Sequence, residues 1–234
     1  MTATLLAACT APEVTQTIND PYEKQNRAVH EFNKKLDTAI LKPLSGAGGE
    51  GGGMVLKTVG NVAGNLDTPR MVVNDLLQAN VEDAGHNFMR LLINSTFGIA
   101  GLFDPATAWG LPSRYSDFGE TMHVWGASEG VYQELPLLGP STTRDTAGRM
   151  VDLFLNPLSY AVTAPETYYI AGSKAVSTLS ARGEYADSVD DVLYGSADSY
   201  AQTRLLYLQN RRFQLGQTVE AEEEDPFALD TEGF

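Results

Sequence analysis

The chain has 234 residues, enough for one sizeable domain or two small ones. Its 16 Lys and Arg stand against 30 Asp and Glu, a formal net charge of −14. That balance argues against nucleic-acid binding and against simple electrostatic adhesion to anionic headgroups, and no apolar run reaches the ~20 residues that cross a bilayer.

The single cysteine, Cys9, has no partner for an internal disulfide and cannot build a cysteine metal cluster. Leu5-Leu6-Ala7-Ala8-Cys9 resembles the lipobox of bacterial lipoproteins, where a lipid is joined to the cysteine sulfur after signal cleavage. The bland alternative is an incidental cysteine in a disordered N-terminus. On the lipobox reading, residues 1–8 are a residual signal peptide that lacks a basic n-region. Cys9 is then the lipid attachment site, and residues 9–19, small and polar, are a tether.

Asp20-Pro21 with Glu23 predicts the start of a first helix. Tyr22, Val29, Phe32, Leu36 and Ile40 share one face of it, which predicts a surface helix with one buried apolar stripe. Residues 46–53, GAGGEGGG, predict a flexible loop. Helical spacing returns from Met54 to Leu66. Thr68-Pro69 predicts a new helix start, with proline at the first helical position. Asn80, followed by Glu82 and Asp83, predicts another. The run Leu91 to Phe103 is broken by Asn94, Ser95 and Thr96. It reads either as a buried core helix, which periodicity favours, or as a segment dipping into one membrane leaflet.

Pro105 to Asp117 is loop-like. The glycine and proline density from Phe118 to Gly139 predicts an irregular or short β excursion, then a helix capped by Ser141 or Thr142. Pro165 predicts a helix ending at Gly183. The last helix is expected to begin near Ser196 or Ser199 and to end with Arg211 and Arg212 on the negative end of its dipole. Residues 217–234 carry acids without a base and read as a disordered tail.

Catalytic motifs are missing. There is no Gly-x-Ser-x-Gly elbow, P-loop, His-Glu-x-x-His or paired CxxC. The three histidines, His30, His86 and His123, are scattered. A Ser–His–acid constellation would have to be assembled in space. Arg144-Asp145 reads most simply as an ion pair at a helix start. A contact from Arg144 to a lipid phosphate is the sharper reading.

Several strings resemble one family. DPYEKQNRAVHEFNKKLDTAILKP, NLDTPRMVVNDLLQ, FMRLLINSTFGIAGLFDPA and FGETMHVWGASEGVYQELPLLGPSTTRDTAGRMVD are similar to the MlaA or VacJ outer-membrane lipoproteins, over about Asp20 to Gly216. Family members carry aromatic and proline residues where this chain has its glycine tract.

The resemblance implies a mainly α, single helical domain, a ring-like assembly of amphipathic helices with a short irregular or β excursion. It implies an anchor in the inner leaflet of the outer membrane and a central amphipathic channel. Through that channel, misplaced phospholipid leaves the outer leaflet for a soluble periplasmic lipid-binding carrier. The implied partners are phospholipid, the outer membrane, trimeric porins and the carrier, with no nucleic acid. No catalysis and no cofactor, neither nucleotide nor metal, is implied. On this reading the stretch Phe118–Asp145 lines or gates the channel, with His123, Trp125, Tyr132 and Arg144 as candidate lipid contacts. Phe97, Ile99, Leu102 and Phe103 are the candidate leaflet-inserted residues. The competing readings are a passive porin- or carrier-binding scaffold and a phospholipase, which needs a nucleophile within hydrogen-bond reach of a histidine.

Overall fold

The computed structural model describes residues 18–46, 49–161 and 178–217. Cys9, most of its tether, the part up to residue 177 of the helix expected from Pro165 to Gly183, and the acidic tail from residue 218 lie outside them.

Helix α1 (Glu23–Leu36) runs on through a π-helical turn, Asp37–Leu41, into α2 (Lys42–Gly46). Asp20 does not cap α1. Its carboxylate accepts from Asn26 Nδ2 at 2.8 Å and from the Tyr200 hydroxyl, and it pairs with Arg204. Helix α3 spans Gly49–Leu77, so the backbone is helical at Gly49–Gly53, where a flexible loop is expected.

The predicted start at Thr68-Pro69 is also absent, because α3 passes straight through Pro69. Proline removes one ladder donor at a cost of roughly 3 kcal/mol. Here the Thr68 hydroxyl donates to the Gly64 carbonyl at 2.8 Å, and Thr68, Arg70 and Met71 are all buried. Helix α4 (Val81–Thr96) starts as expected, with Asn80 Oδ1 accepting from Asp83 N at 3.1 Å. It lies antiparallel on α3, so that Asn87 meets Asp75 and Ser95 meets Asn65.

Asp104 caps the short α5 (Pro105–Ala108), and Asp117 caps α6 (Phe118–Val124), a helix within the stretch expected to be irregular. Strands β1 (Tyr132–Leu135) and β2 (Gly139–Thr142) form an antiparallel hairpin in which Tyr132 pairs with Thr142 and Leu135 with Gly139. A lone hairpin is marginal in water. Here amide side chains of α1 act as a third strand edge. Asn26 accepts from Glu134 N at 3.0 Å, and Asn33 donates to Leu135 O at 2.9 Å and accepts from Leu137 N at 2.8 Å.

Thr142 caps α7 (Thr143–Leu155), accepting from Asp145 N at 3.2 Å. Then come α8 (Leu158–Ala161), α9 (described over 178–184), α10 (Ala186–Asp190), a second π-helical turn at Asp191–Gly195, and α11 (Ser199–Gln214). Asp198, rather than Ser196 or Ser199, caps α11, accepting from Ala201 N at 3.0 Å. Gly216 beyond its end adopts φ +67°.

The polarity of the interior is reversed. Among the described residues only seven apolar side chains are buried, against twenty-three polar or charged ones. The stripe expected to be buried on α1 faces outward, with Phe32 50% exposed and Ile40 46%, while Asn26, His30 and Asp37 point inward. Phe97, Ile99, Leu102 and Phe103 are 69%, 60%, 40% and 56% exposed, which overturns the buried-core reading of that run. A small aromatic core of Tyr132, Tyr200 and Leu208, with Ile18 and Tyr207 packed on it, lies between the hairpin and α11. No described helix is long and apolar enough to cross a membrane.

Glycine permits the closest helix contact. A Cβ on Gly148 of α7 would lie 2.4 Å from Gly119 N of α6, and one on Gly119 would lie 2.6 Å from Asp145 Oδ1. By contrast, a Cβ on Gly85 of α4 meets nothing within 4 Å. Gly148→Ala is therefore expected to destabilise the chain by about 1–3 kcal/mol. Gly85→Ala is expected to raise stability by about 0.5–1 kcal/mol. Thermal unfolding in detergent reads both.

Candidate lipid-handling site

The interior is held by buried ion pairs that join distant segments. Arg182 of α9 grips Asp37 with Nε and Nη2 at 2.8 and 3.1 Å, and Tyr194 adds a hydroxyl at 2.8 Å. Arg70 of α3 takes Asp67 with the same edge at 3.0 and 2.6 Å, and it reaches Asp152 of α7 at 3.1 Å. Asn74, fully buried, donates to Asp152 at 2.9 Å and accepts from the Thr121 hydroxyl at 3.0 Å. Removing one partner of such a pair strands a buried charge, which typically costs about 3–5 kcal/mol.

The densest cluster lies where α6, α7 and α11 meet. Arg211 Nη2 donates to Asp117 at 2.7 Å and to Asp145 at 3.1 Å, while its Nε reaches Asp145 at 3.2 Å. Tyr207 OH donates to Asp145 at 2.5 Å. Arg212 holds Glu129 with Nε and Nη2, both at 3.0 Å. Burial pushes the Asp145 carboxyl up, but Arg211, the Tyr207 hydroxyl and Arg144 outweigh it and hold the carboxyl below its usual range.

Arg144 is the odd member. It is 3% exposed, yet its Nε and Nη2 have no hydrogen-bond partner. Nη1 lies 3.5 Å from His123 Nδ1, and Nε stands 3.5 Å from Asp145 Oδ1, an ion pair without a hydrogen bond. Burial and the Arg144 and Arg211 cations lower the His123 pKa, so the ring is neutral at pH 7.

Of the four residues singled out as lipid contacts, His123 and Arg144 are brought together. Trp125 is 58% exposed; its Nε1 donates to Leu77 O at 3.1 Å and its ring stands edge-on to Phe118. Tyr132 is 1% exposed and donates to Glu134 at 2.6 Å. It belongs to the aromatic core that supports the hairpin.

Two features escaped the sequence reading. A cavity of about 220 Å³ opens below the hairpin, with His30, Asn33, Lys34, Asp37, Glu134 and Thr203 on its polar side and Leu36, Leu41, Leu137, Leu138, Pro140 and Leu193 on its apolar side. Behind it, Ser199 Oγ lies 3.1 Å from His30 Nε2, and His30 Nδ1 lies 3.5 Å from Glu134 Oε1. This meets the contact a phospholipase requires. Ser199, however, is 8% exposed on the first turn of α11 and does not line the cavity. Its hydroxyl therefore has no open side from which a carbonyl could approach. The one sequence signal for the interior is the helical recurrence of Asn26, His30, Asn33 and Asp37, and of Asn87 and Asn94.

A family model described as MlaA lipoprotein matches residues 18–214. The chain belongs to the MlaA lipoprotein family. An uncharacterised protein of Rickettsia felis is 38% identical over 189 residues, covering 80% of this chain and 74% of that one. The Escherichia coli intermembrane phospholipid transport system lipoprotein MlaA is 31% identical over 216 residues, covering 90% of this chain and 84% of its own length. A solved structure, determined for the structural basis for maintenance of bacterial outer membrane lipid asymmetry, superposes with a TM-score of 0.72. It is 30% identical and covers 84% of this chain and 98% of that one. The mainly helical fold with one hairpin is thus the fold of this family.

Glu120 of α6 gives the cluster a pH signature. Burial, then the neighbouring Asp117, push its carboxyl up to about 7. The unfolded chain loses this proton near the ordinary glutamate value, ~4.3, and the folded chain only near 7. The protonated form therefore stabilises the fold at low pH, and that contribution is lost as pH rises between these values. Solvent still reaches Glu120 and screens the effect. Glu120→Gln should raise Tm at pH 8 by about 2–4 °C, the shift ~1 kcal/mol produces at this size. It should leave Tm at pH 4 unchanged, as measured by thermal scans across pH.

Proposed function

We propose that this MlaA-family lipoprotein carries phospholipid out of the outer leaflet of the outer membrane. It sits in the inner leaflet, anchored through a lipid on Cys9, passes the headgroup along its polar interior, and delivers the lipid to a soluble periplasmic carrier beside a trimeric porin. The names of the relatives point the same way. The observation that carries the reading is the reversed polarity. A shell with Phe88, Met89, Leu92, Phe97, Phe103 and Phe154 exposed matches acyl chains. Buried polar groups can be kept at membrane depth only where they pair with each other or line a wet passage. With no described helix able to span, the apolar shell suits residence in one leaflet.

A phospholipid crossing a bilayer must move its headgroup through hydrocarbon. A polar route flanked by apolar surface lowers that barrier and needs no nucleotide if transfer runs downhill. The passive scaffold reading needs only the outer surface and leaves the buried network without a transport role. The phospholipase reading rests on Ser199, His30 and Glu134.

The test is outer-leaflet phospholipid exposure in a Gram-negative strain lacking its own copy. The intact lipoprotein and Ser199→Ala should both lower exposure, and Cys9→Ser should not. If the intact protein leaves exposure unchanged, the scaffold reading replaces this one. If Ser199→Ala alone is inactive while folded, the phospholipase reading does.

A further inference from the structure

The cavity beneath the hairpin measures about 220 Å³, far beyond the ~30 Å³ share of one water. Close-packed interiors hold few voids larger than a water molecule. Both π-helical turns among the described residues contribute to its wall, Asp37 and Leu41 from the first and Leu193 from the second. A π turn interrupts the regular helical ladder and recurs at functional sites. On the same wall, Leu137 of the hairpin turn holds φ +67° and is 67% exposed. A leucine in that backbone region is strained, and the exposed side chain recovers little in return.

The charges of the lining are committed with one exception. Arg182 holds both oxygens of Asp37, and the Tyr194 hydroxyl adds a third bond. Glu134 accepts from the Tyr132 hydroxyl and from Asn33 Nδ2, and it faces His30. Lys34 is half-buried and pairs with no described carboxylate. Its ammonium lies 5.5 Å from the Tyr194 ring centroid. Lys42, on the same ring, is held by Asp190 at 2.8 Å.

We propose that this cavity is a binding site for a single acyl chain with an anionic head. The chain lies against Leu36, Leu41, Pro140 and Leu193, and the head meets the Lys34 ammonium. The volume falls below the ~300 Å³ at which pockets begin to enclose drug-sized molecules. It therefore suits one slender chain rather than the paired chains of a diacyl phospholipid. A long-chain carboxylate and a lysophospholipid share this chemistry. The site goes beyond the transport reading and does not depend on it.

The experiment uses the full chain in phosphatidylcholine nanodiscs, a diacyl background without net charge. The probes carry a diazirine at the end of the same chain: palmitate, a lysophosphatidylglycerol, the matching fatty alcohol, and a diacyl phosphatidylglycerol. After illumination, mass spectrometry maps the labelled residues. A single-chain anion should label Leu36, Leu41 or Leu193 about tenfold above the alcohol, the difference one charge-assisted contact makes. Labelling by palmitate alone assigns a fatty-acid site, and by the lysolipid alone a lysophospholipid site. No cavity labelling by either overturns the proposal. Equal labelling by the alcohol overturns the anionic head, and equal labelling by the diacyl lipid overturns the single chain. This readout needs no altered protein.

Lys34→Gln should lower cavity labelling by about tenfold, and Lys34→Arg should preserve it, since either cation meets an anion. Leu193→Trp fills the cavity and should block labelling there while Phe97 and Phe103 on the outer surface are still labelled. Undiminished cavity labelling in a folded Lys34→Gln chain would overturn the role of Lys34. If Lys34→Gln loses the label yet restores lipid asymmetry in cells, the site is separate from transport and both stand. If the intact protein is labelled but corrects no asymmetry, the transport reading fails and the cavity site stands.

Discussion

Arg211 reaches from the last helix to carboxylates on two others, Asp117 at the start of α6 and Asp145 at the start of α7. Segments nearly one hundred residues apart are locked at one point, and the contact requires two glycines. Gly119 and Gly148 let α6 and α7 approach until backbone meets backbone, which places Asp145 within reach of Arg211. The hairpin leads into the same helix start. Thr142 ends β2 and caps α7, so the strand pairing that buries Tyr132 also sets the height of Arg144 and Asp145. The glycines and the Arg-Asp pair that carry the family resemblance are thus explained by contact geometry.

The rest follows from where such a network can exist. In a water-soluble domain the apolar stripe of each helix turns inward and drives folding. Here Asn26, His30, Asn87 and Asn94 turn inward, while Phe32, Phe88 and Leu92 turn outward. On the proposed residence in one leaflet, hydrocarbon outside removes the penalty for apolar exposure and raises the penalty for any polar group left unpaired. The interior answers with paired ions and amides. A few buried atoms make no hydrogen bond, among them Asn65 Oδ1, Thr203 Oγ1 and Nε and Nη2 of Arg144.

Much of the fold was legible. Asn80 and Thr142 cap the helices they were expected to cap, because a side-chain oxygen three residues ahead of a donor is a local signal. Thr68-Pro69 carried the same local signal and misled, since α3 is held by its packing along α4 and tolerates a proline inside it. The Asp20 start misled for a similar reason, as Asp20 is claimed by Arg204 from across the chain. Helical period was readable from Phe32 and Ile40, but not its direction. Periodicity reports that a helix has two faces; the solvent outside decides which is buried. His123 and Arg144 were legible as a pair only through the family resemblance. Arg211 and Arg212, which hold Asp145 and Glu129, lie 67 and 68 positions beyond Arg144 and reach those carboxylates only in the folded chain.

The central claim is that the apolar outer surface faces acyl chains. Trp109, 58% exposed and edge-on to Phe97 at 5.4 Å, sits on that surface and is a native probe. With Trp125→Phe it becomes the only tryptophan, and its fluorescence in bilayers can be challenged with brominated-chain lipids and with iodide. Strong quenching by brominated chains with shielding from iodide is the expected result. Free access to iodide with no effect of the brominated chains would contradict the account.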